Sequence, residues 1–128
     1  MVGIIIAIVN NEGGVGKTTV AVNLAHALTR RDKRLLVVDM DTQCNATSLL
    51  LSDKFANRSN LYEVFSETEL DIANCIFPTK YEKFFCLSNT SDTGALEPAL
   101  LNALPEKKVL EFFVIDFEIT LIKIMILL

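Results

Sequence analysis

Cysteine, histidine and long uncharged apolar runs are all scarce in this sequence of 128 residues. Its three cysteines are widely spaced and form no CxxC pair, which argues against a disulfide framework or a thiolate metal site and favours a reducing, cytoplasmic environment. No window offers the roughly 20 apolar residues of a membrane-spanning helix. No positively charged segment precedes the first apolar run, so we expect no signal peptide.

Positive charge is limited as well. The chain has 12 lysines and arginines against 16 acidic residues, a net charge of −4, which argues against a general nucleic-acid-binding surface. The basic cluster at residues 30–34 is expected at the end of a helix, where cations are favoured. The single histidine, His26, has no acidic neighbour in sequence and is predicted to lie on a helix surface. A hydrophobic content of 51% indicates one globular domain.

What the sequence does contain is a glycine-rich segment between two apolar stretches. The run Gly3–Val9 predicts a strand of a parallel sheet, buried on both faces. The stretch Thr19–Arg31 predicts a helix. Its buried stripe is predicted to contain Val20, Leu24, Ala27 and Leu28. The order strand, glycine loop, helix predicts a phosphate-binding loop at Gly13–Thr18.

The loop GGVGKT has the chemistry that a triphosphate needs. Glycines without a Cβ let backbone N–H groups turn inward around phosphate oxygens, and the following helix directs its positive end at the same anion. Lys17 is predicted to reach the terminal phosphates and the Thr18 hydroxyl to ligate Mg²⁺, so ATP and Mg²⁺ are the expected ligands. The predicted nucleotide-binding residues are Gly13, Gly14, Val15, Gly16, Lys17, Thr18 and Thr19.

A second buried strand is predicted at Leu35–Asp39, which completes a right-handed strand–helix–strand unit. Ligands of such sheets bind beyond the carboxyl ends of the strands. Asp39 and Asp41 are therefore expected at the same edge as the phosphate loop, where a carboxylate can orient a water molecule or hold the water shell of Mg²⁺.

Weaker signals predict the rest of an α/β fold, a mostly parallel open sheet flanked by helices. Asn45 and Thr47 are candidate caps of a short helix, and Ser59-Asn60 precedes another. The other predicted elements are a strand at Lys83–Ser88, a helix at Glu97–Leu104 and a strand at Phe112–Asp116. We divide the chain into residues 1–116, the N-terminal part of a nucleotide-binding domain, and an apolar tail of uncertain structure, residues 117–128. For the tail a buried strand, an exposed apolar segment and the foreign end of a disrupted reading frame all remain open.

The segments VNNEGGVGKTTVAVNLAHAL and LLVVDMDTQCNATSLL resemble the ParA/MinD superfamily of deviant Walker A ATPases, and within it the ParA/Soj partition proteins. The resemblance is close over Val2–Leu51 and traceable to Asp116, which falls where the family has its Walker B aspartate. It implies that Lys17 and Asp41 are catalytic, with Asp41 positioning the attacking water, and that Thr18, Asp39 and Asp116 hold the metal. It also implies a homodimer, a partition partner protein and nonspecific DNA, in members about twice as long as this chain.

Several positions depart from the family pattern. Asn11 replaces the first glycine of the strict P-loop, Glu12 replaces the signature lysine, and Thr42 replaces a proline. A glutamate at position 12 reverses the charge offered to the phosphates, so we expect weak binding and poor hydrolysis. Three other functions stay open: an inactive fragment that acts only through protein contacts, a MinD-type membrane-associated regulator, and a metabolic P-loop ligase.

Overall fold

One mixed sheet runs through the computed structural model, which describes residues 4–10, 12–55, 58–67, 69–95 and 121–127. Within these residues its strands are β1 (Ile4–Val9), β2 (Arg34–Asp39), β3 (Ile76–Pro78), β4 (Phe84–Leu87) and β5 (Leu121–Leu127). Their order across the sheet is β1-β5-β2-β4-β3. The pairs along β1-β5-β2-β4 are parallel and β3 is antiparallel to β4. The predicted α/β fold with a mostly parallel open sheet is confirmed.

The helices are α1 (Lys17–Thr29), α2 (Asn45–Leu50) and α3 (Leu61–Ser66), with short 3-10 helices at Asp53–Phe55 and Ile72–Cys75. The start of α3 follows the predicted signal. The Asn60 side chain accepts a hydrogen bond from the Tyr62 N–H at 2.8 Å, and the Glu63 carboxylate accepts one from the Asn60 N–H at 2.8 Å. This capping box satisfies two N–H groups that the first turn leaves without helical partners. In the described residues, no helix combines the length and apolar character needed to cross a membrane.

Strand β2 lies at the centre of the apolar core. Leu35 and Val37 pack with α1, α2 and Phe84 on one face of the sheet, while Leu36 and Val38 pack with residues of α3, β4 and the second 3-10 helix on the other. All four side chains are at most 4% exposed. A continuous apolar strand with both faces covered is typical of parallel sheets, and the prediction for this segment is confirmed.

Strand β1 is not buried on both faces, contrary to the prediction. It forms one edge of the sheet, and Ile4, Ile5 and Val9 are 60%, 47% and 56% exposed. Ile6 and Ile8 are half-buried against the cluster that contains α1. The prediction is wrong because an apolar run indicates a strand but does not indicate how many neighbours cover it.

The buried face of α1 also differs from the predicted stripe. Ala21 and Ala25 are fully buried, whereas Val20 is 55% exposed and Ala27 is exposed. The small alanines let the helix lie close to the sheet, and Leu24 and Leu28 pack at their sides. Because this helix is apolar on more than one side, its periodicity does not select a single face.

The apolar tail supplies the strand next to β1. Within residues 117–128, Leu121–Leu127 form β5 between β1 and β2, with Ile122 opposite both Ile4 and Leu35. The structure thus shows a strand for residues 121–127, which agrees with the secondary structure of the first alternative for the tail. The predicted helix at Glu97–Leu104 and the predicted strand at Phe112–Asp116 lie outside the described residues.

Candidate functional site

The loop between β1 and α1 has an unusual backbone. Gly14 and Gly16 have φ angles of 71° and 91°, the left-handed region that residues with a Cβ rarely adopt. A Cβ built on Gly13, Gly14 or Gly16 would meet no atom within 4 Å. The backbone conformation therefore favours glycine at positions 14 and 16, and the space beside the three glycines is open to a ligand.

The N–H groups of this loop form a cradle for an anion. Gly16 is the N-cap of the 13-residue helix α1, and no side chain caps that helix. The first helical hydrogen bond runs from the Val20 N–H to the Gly16 carbonyl at 2.9 Å. Among the described residues, the N–H groups of residues 16–19 at the start of α1 donate to no backbone or side-chain acceptor. Unpaired N–H groups at a helix N-terminus favour a phosphate.

Lys17 lies at the rim of this cradle. Its Nζ donates a hydrogen bond to the Glu12 carbonyl at 2.8 Å, and the Glu12 N–H donates to Asn10 Oδ1 at 2.8 Å. Thr18 and Thr19 follow in the first turn of α1, the former half-buried and the latter exposed. The predicted nucleotide-binding residues thus form one continuous surface, and the main chain of Glu12 belongs to it. Asn11 lies outside the described residues.

Asp39, at the end of β2, is fully buried and accepts three hydrogen bonds. Its Oδ2 accepts from the Thr47 N–H and hydroxyl, both at 2.8 Å, and its Oδ1 accepts from the Asp41 N–H at 3.2 Å. Burial raises the pKa of this carboxyl above its usual value, and the hydrogen bonds from Thr47 oppose the rise. Asp39 caps the first turn of α2 from outside the helix.

The cap of α2 therefore differs from the prediction. The N-cap residue is Cys44, with φ 56° and no side-chain hydrogen bond to the helix N-terminus. Asn45 and Thr47 are inside the helix, where the Thr47 hydroxyl donates to Asp39. The prediction was wrong because the capping carboxylate comes from a different element, which local sequence signals cannot reveal.

Asp41 is 7% exposed and shapes the turn that leads from β2 to α2. Its Oδ1 accepts a hydrogen bond from the Gln43 N–H at 2.9 Å, and its main-chain carbonyl accepts one from the Cys44 N–H at 2.9 Å. Only the strand β5 separates β2 from β1, so the turn and the phosphate loop begin about 10 Å apart at the same edge of the sheet. The predicted common edge for Asp39, Asp41 and the loop is confirmed by the topology.

One partner of this turn, Asn89, was missed by sequence reasoning. Asn89 is 6% exposed, donates from its N–H to Thr47 Oγ1 at 3.0 Å and donates from Nδ2 to the Asp41 carbonyl at 3.1 Å. A cleft of about 410 Å³ opens beside them. Its lining includes Gln43, Thr47, Arg58, Ser88 and Asn89. The buried Ser88 hydroxyl has no partner among the described residues. The sequence of a polar loop after a strand does not indicate contacts with residues that are far away in sequence.

One of the two remaining sequence candidates lies outside the described residues, and the other lies away from this edge. Asp116 lies outside the described residues. His26 is half-buried, and its ring lies 4.5 Å from that of Tyr81, in a contact between α1 and the turn before β4. The described residues contain no group of three or more His, Cys, Asp or Glu side chains that could hold a metal ion by themselves. A metal at this edge would need ligands from a bound phosphate and from water, which suits Mg²⁺.

The cysteine in the turn gives a first testable prediction. Cys44 is half-exposed, and burial together with Asp39, Asp41 and Asp92 raises the pKa of its thiol to about 11. The thiolate is the reactive form, so we expect alkylation of Cys44 at pH 8 to be on the order of 100-fold slower than that of a free thiol and to accelerate as the pH rises toward 11. Peptide mapping by mass spectrometry after timed iodoacetamide treatment measures this rate. Labelling of Cys44 as fast as that of free cysteine would contradict this prediction. A Cys44→Ser chain is the control, because it shows how much labelling comes from the two buried cysteines.

Comparison with known proteins shows which proteins this chain is similar to. Residues 3–119 match the AAA domain family. The chain is 39% identical over 101 residues to the chromosome partitioning protein ParA of Myxococcus xanthus, covering 79% of this chain and 35% of that protein. It is 38% identical over 99 residues to the sporulation initiation inhibitor protein Soj of Bacillus subtilis, covering 77% and 39%.

A solved structure agrees with the fold. The cobyrinic acid a,c-diamide synthase of Mycobacterium smegmatis, determined with a bound ATP analog and magnesium, superposes with a TM-score of 0.81 and 26% sequence identity. The alignment covers 96% of this chain and 50% of the synthase chain. The chain thus spans about half of that structure and 35% and 39% of the two relatives. The glycine loop, the sheet and these similarities together show that the chain belongs to the AAA domain family, among the P-loop ATPases of ParA/MinD type.

Proposed function

We propose that the chain binds ATP with Mg²⁺ at the loop of residues 13–19 and hydrolyses it slowly, as the nucleotide-binding part of a ParA-like partition ATPase. The observation that carries the proposal is the loop itself. Gly14 and Gly16 have left-handed backbone conformations, and a Cβ on either of them would meet no atom within 4 Å. The helix α1 begins directly after them without a side-chain cap, and its first residue, Lys17, donates a hydrogen bond to the Glu12 carbonyl. This combination suits a polyphosphate and has no evident use in a plain turn.

Each residue has a distinct role in this proposal. The N–H groups of residues 13–19 hold phosphate oxygens, and Lys17 leaves the Glu12 carbonyl to neutralise the terminal phosphates. The Thr18 hydroxyl would hold Mg²⁺, and the ion would supply positive charge beside the phosphates. Asp39 and Asp116 would hold the metal through water, and Asp41 would orient the attacking water. Asp39 suits an indirect contact because both of its oxygens already accept hydrogen bonds.

The biological setting is proposed from the relatives. One relative is a chromosome partitioning protein ParA, and another is a sporulation initiation inhibitor protein Soj. From the family resemblance we propose a homodimer and a partition partner protein. The net charge of −4 argues against nonspecific DNA binding by this chain. Three free cysteines, two of them buried, suit a reducing cytoplasm.

Equilibrium binding of a fluorescent ATP analogue, with and without Mg²⁺, tests the proposal. We expect Mg²⁺-dependent binding that Lys17→Ala weakens at least about tenfold, because hydrogen bonds to charged groups contribute about 1.5–3 kcal/mol. Lys54→Ala is the matched control, since Lys54 is exposed in a 3-10 helix outside the loop. Equal binding by both variants would place the nucleotide elsewhere, and no binding by the wild-type chain would refute the proposal.

An ATP-dependent synthase is a second candidate, favoured by the cleft of about 410 Å³ beside the Asp41 turn. Its volume falls in the range of small-molecule sites, and the superposed structure is that of a synthase. Turnover of ATP by the purified chain without any second substrate would count against this candidate, because a synthase couples ATP cleavage to an acceptor.

A further inference from the structure

The loop after β4 holds the turn that carries Asp41. Two hydrogen bonds within the turn, from the Gln43 and Cys44 N–H groups, fix its local shape. They do not fix its position relative to the rest of the edge. Among the described residues, the side-chain hydrogen bond that reaches the turn from another strand's loop is the one from Asn89 Nδ2 to the Asp41 carbonyl, at 3.1 Å.

The orientation of the Asn89 amide is determined by its other partners. Its Oδ1 accepts hydrogen bonds from the Thr90 N–H at 2.8 Å and from the Thr93 hydroxyl at 2.6 Å. Because both of these groups are donors, the oxygen must face them and the Nδ2 group must face Asp41. Asn89 and Thr93 are each 6% exposed, so water does not compete readily for these hydrogen bonds.

The same residue also supports the neighbouring carboxylate. The Asn89 N–H donates to Thr47 Oγ1 at 3.0 Å, and this hydroxyl donates to Asp39 Oδ2 at 2.8 Å. The Thr47 hydroxyl donates its one proton to Asp39 and accepts from the Asn89 N–H with a lone pair, so the two contacts are compatible and mutually strengthening. Asn89 therefore contacts the elements that place both Asp39 and Asp41.

We propose that Asn89 is a positioning residue for ATP hydrolysis, which holds the Asp41 turn in the place from which Asp41 orients the attacking water. The inference rests on the proposed function, because it needs a nucleotide at the phosphate loop. Asn89 is absent from that loop and from the first turn of α1, so its contribution falls on the chemical step and not on nucleotide binding. A displacement of about 1 Å at a reacting group can cost 10²-fold in rate.

The sharpest variant is Asn89→Asp, which keeps the shape and the acceptor for Thr90 and Thr93 but replaces the donor to Asp41 by an oxygen. We expect kcat for ATP hydrolysis by the full chain to fall on the order of 10- to 100-fold, while KM for MgATP stays close to the wild-type value. Hydrogen exchange of the Gln43 and Cys44 amides should accelerate, while the amides of α1 keep their protection. If the aspartate variant fails to fold, Asn89→Ala removes the same donor without adding charge.

Thr93→Val is the matched control. It removes one hydrogen bond to Asn89 Oδ1 but leaves the Asn89–Asp41 contact in place, so a general loss of packing in this loop would appear in it too. We expect its kcat to remain near that of the wild-type chain. A wild-type kcat in Asn89→Asp, or an equal loss in Thr93→Val, would overturn the inference while binding that depends on Lys17 upholds the proposed function. A wild-type chain that binds MgATP without turning it over would also overturn it, and a chain that binds no nucleotide would refute both.

Discussion

Replacing Glu12 by lysine is expected to raise the rate of ATP hydrolysis by at least about tenfold. The Glu12 carbonyl lies 2.8 Å from Lys17 Nζ, so residue 12 borders the space proposed for the phosphates, and its exposed side chain carries a negative charge. A negative charge there repels the negative charge that develops on the phosphoryl oxygens. The family that the sequence resembles has a lysine at this position, and a cation supplied to a phosphoryl transfer is worth about 10³–10⁵ in rate.

Steady-state phosphate release at saturating MgATP measures this effect. Glu69→Lys is the control, because it makes the same change of net charge at an exposed position between α3 and the next 3-10 helix. A rise confined to Glu12→Lys would show that the sign of the charge beside the loop limits turnover. Equal rates in the two variants and the wild-type chain would show that Glu12 is not the cause of slow hydrolysis.

Truncating Phe84 is expected to have the largest effect on stability. Its side chain is fully buried in the cluster formed with Ala21, Ala25 and Leu35, and its ring lies 5.9 Å from that of Tyr81. Phe→Ala in such a site costs about 3–5 kcal/mol of unfolding free energy, a large part of the ~5–15 kcal/mol that holds a domain together. Urea unfolding followed by circular dichroism measures the loss of unfolding free energy. Circular dichroism is preferable to fluorescence because the chain has no tryptophan.

Phe85→Ala serves as the comparison for Phe84→Ala. Phe85 is the next residue of β4 and points to the other face, where it is half-buried with the Arg34 guanidinium 5.8 Å from its ring centre. We expect a clearly smaller loss, since less apolar area leaves water there. Losses of equal size would mean that the cluster around Phe84 is not the main core of the sheet.

Short sequence patterns predicted the elements that are determined by residues close together in sequence. Leu35–Asp39 was predicted as a buried strand because its four consecutive apolar residues must be covered on both faces, and in the structure both faces are covered. The start of α3 at Asn60 was identified because its cap lies within three residues of the helix. The loop between β1 and α1 was predicted because its glycines, lysine and threonine are contiguous, and the structure has a loop there.

The missed features depend on partners far away in sequence. The exposure of β1 depends on which strands lie beside it, and the buried face of α1 depends on where alanines allow close approach to the sheet. The cap of α2 comes from Asp39, eight residues before Thr47. Asn89 reaches Asp41 across 48 residues. No periodicity or short motif encodes such contacts, so sequence reasoning located the phosphate loop but not the groups that hold its neighbouring turn.

The place of β5 in the sheet has a consequence for the order of folding. β1 and β2 are not neighbours, and β1 joins the sheet through β5, with Ile4 opposite Ile122. Closing so long a stretch of chain carries an entropic cost and slows the contact, whereas α1, β2, β3 and β4 can assemble from segments closer in sequence. On a ribosome, β1 must wait for residues 121–127 to emerge before it acquires its partner. We therefore expect the strand that leads into the phosphate loop to dock last, so that nucleotide affinity appears only late in folding.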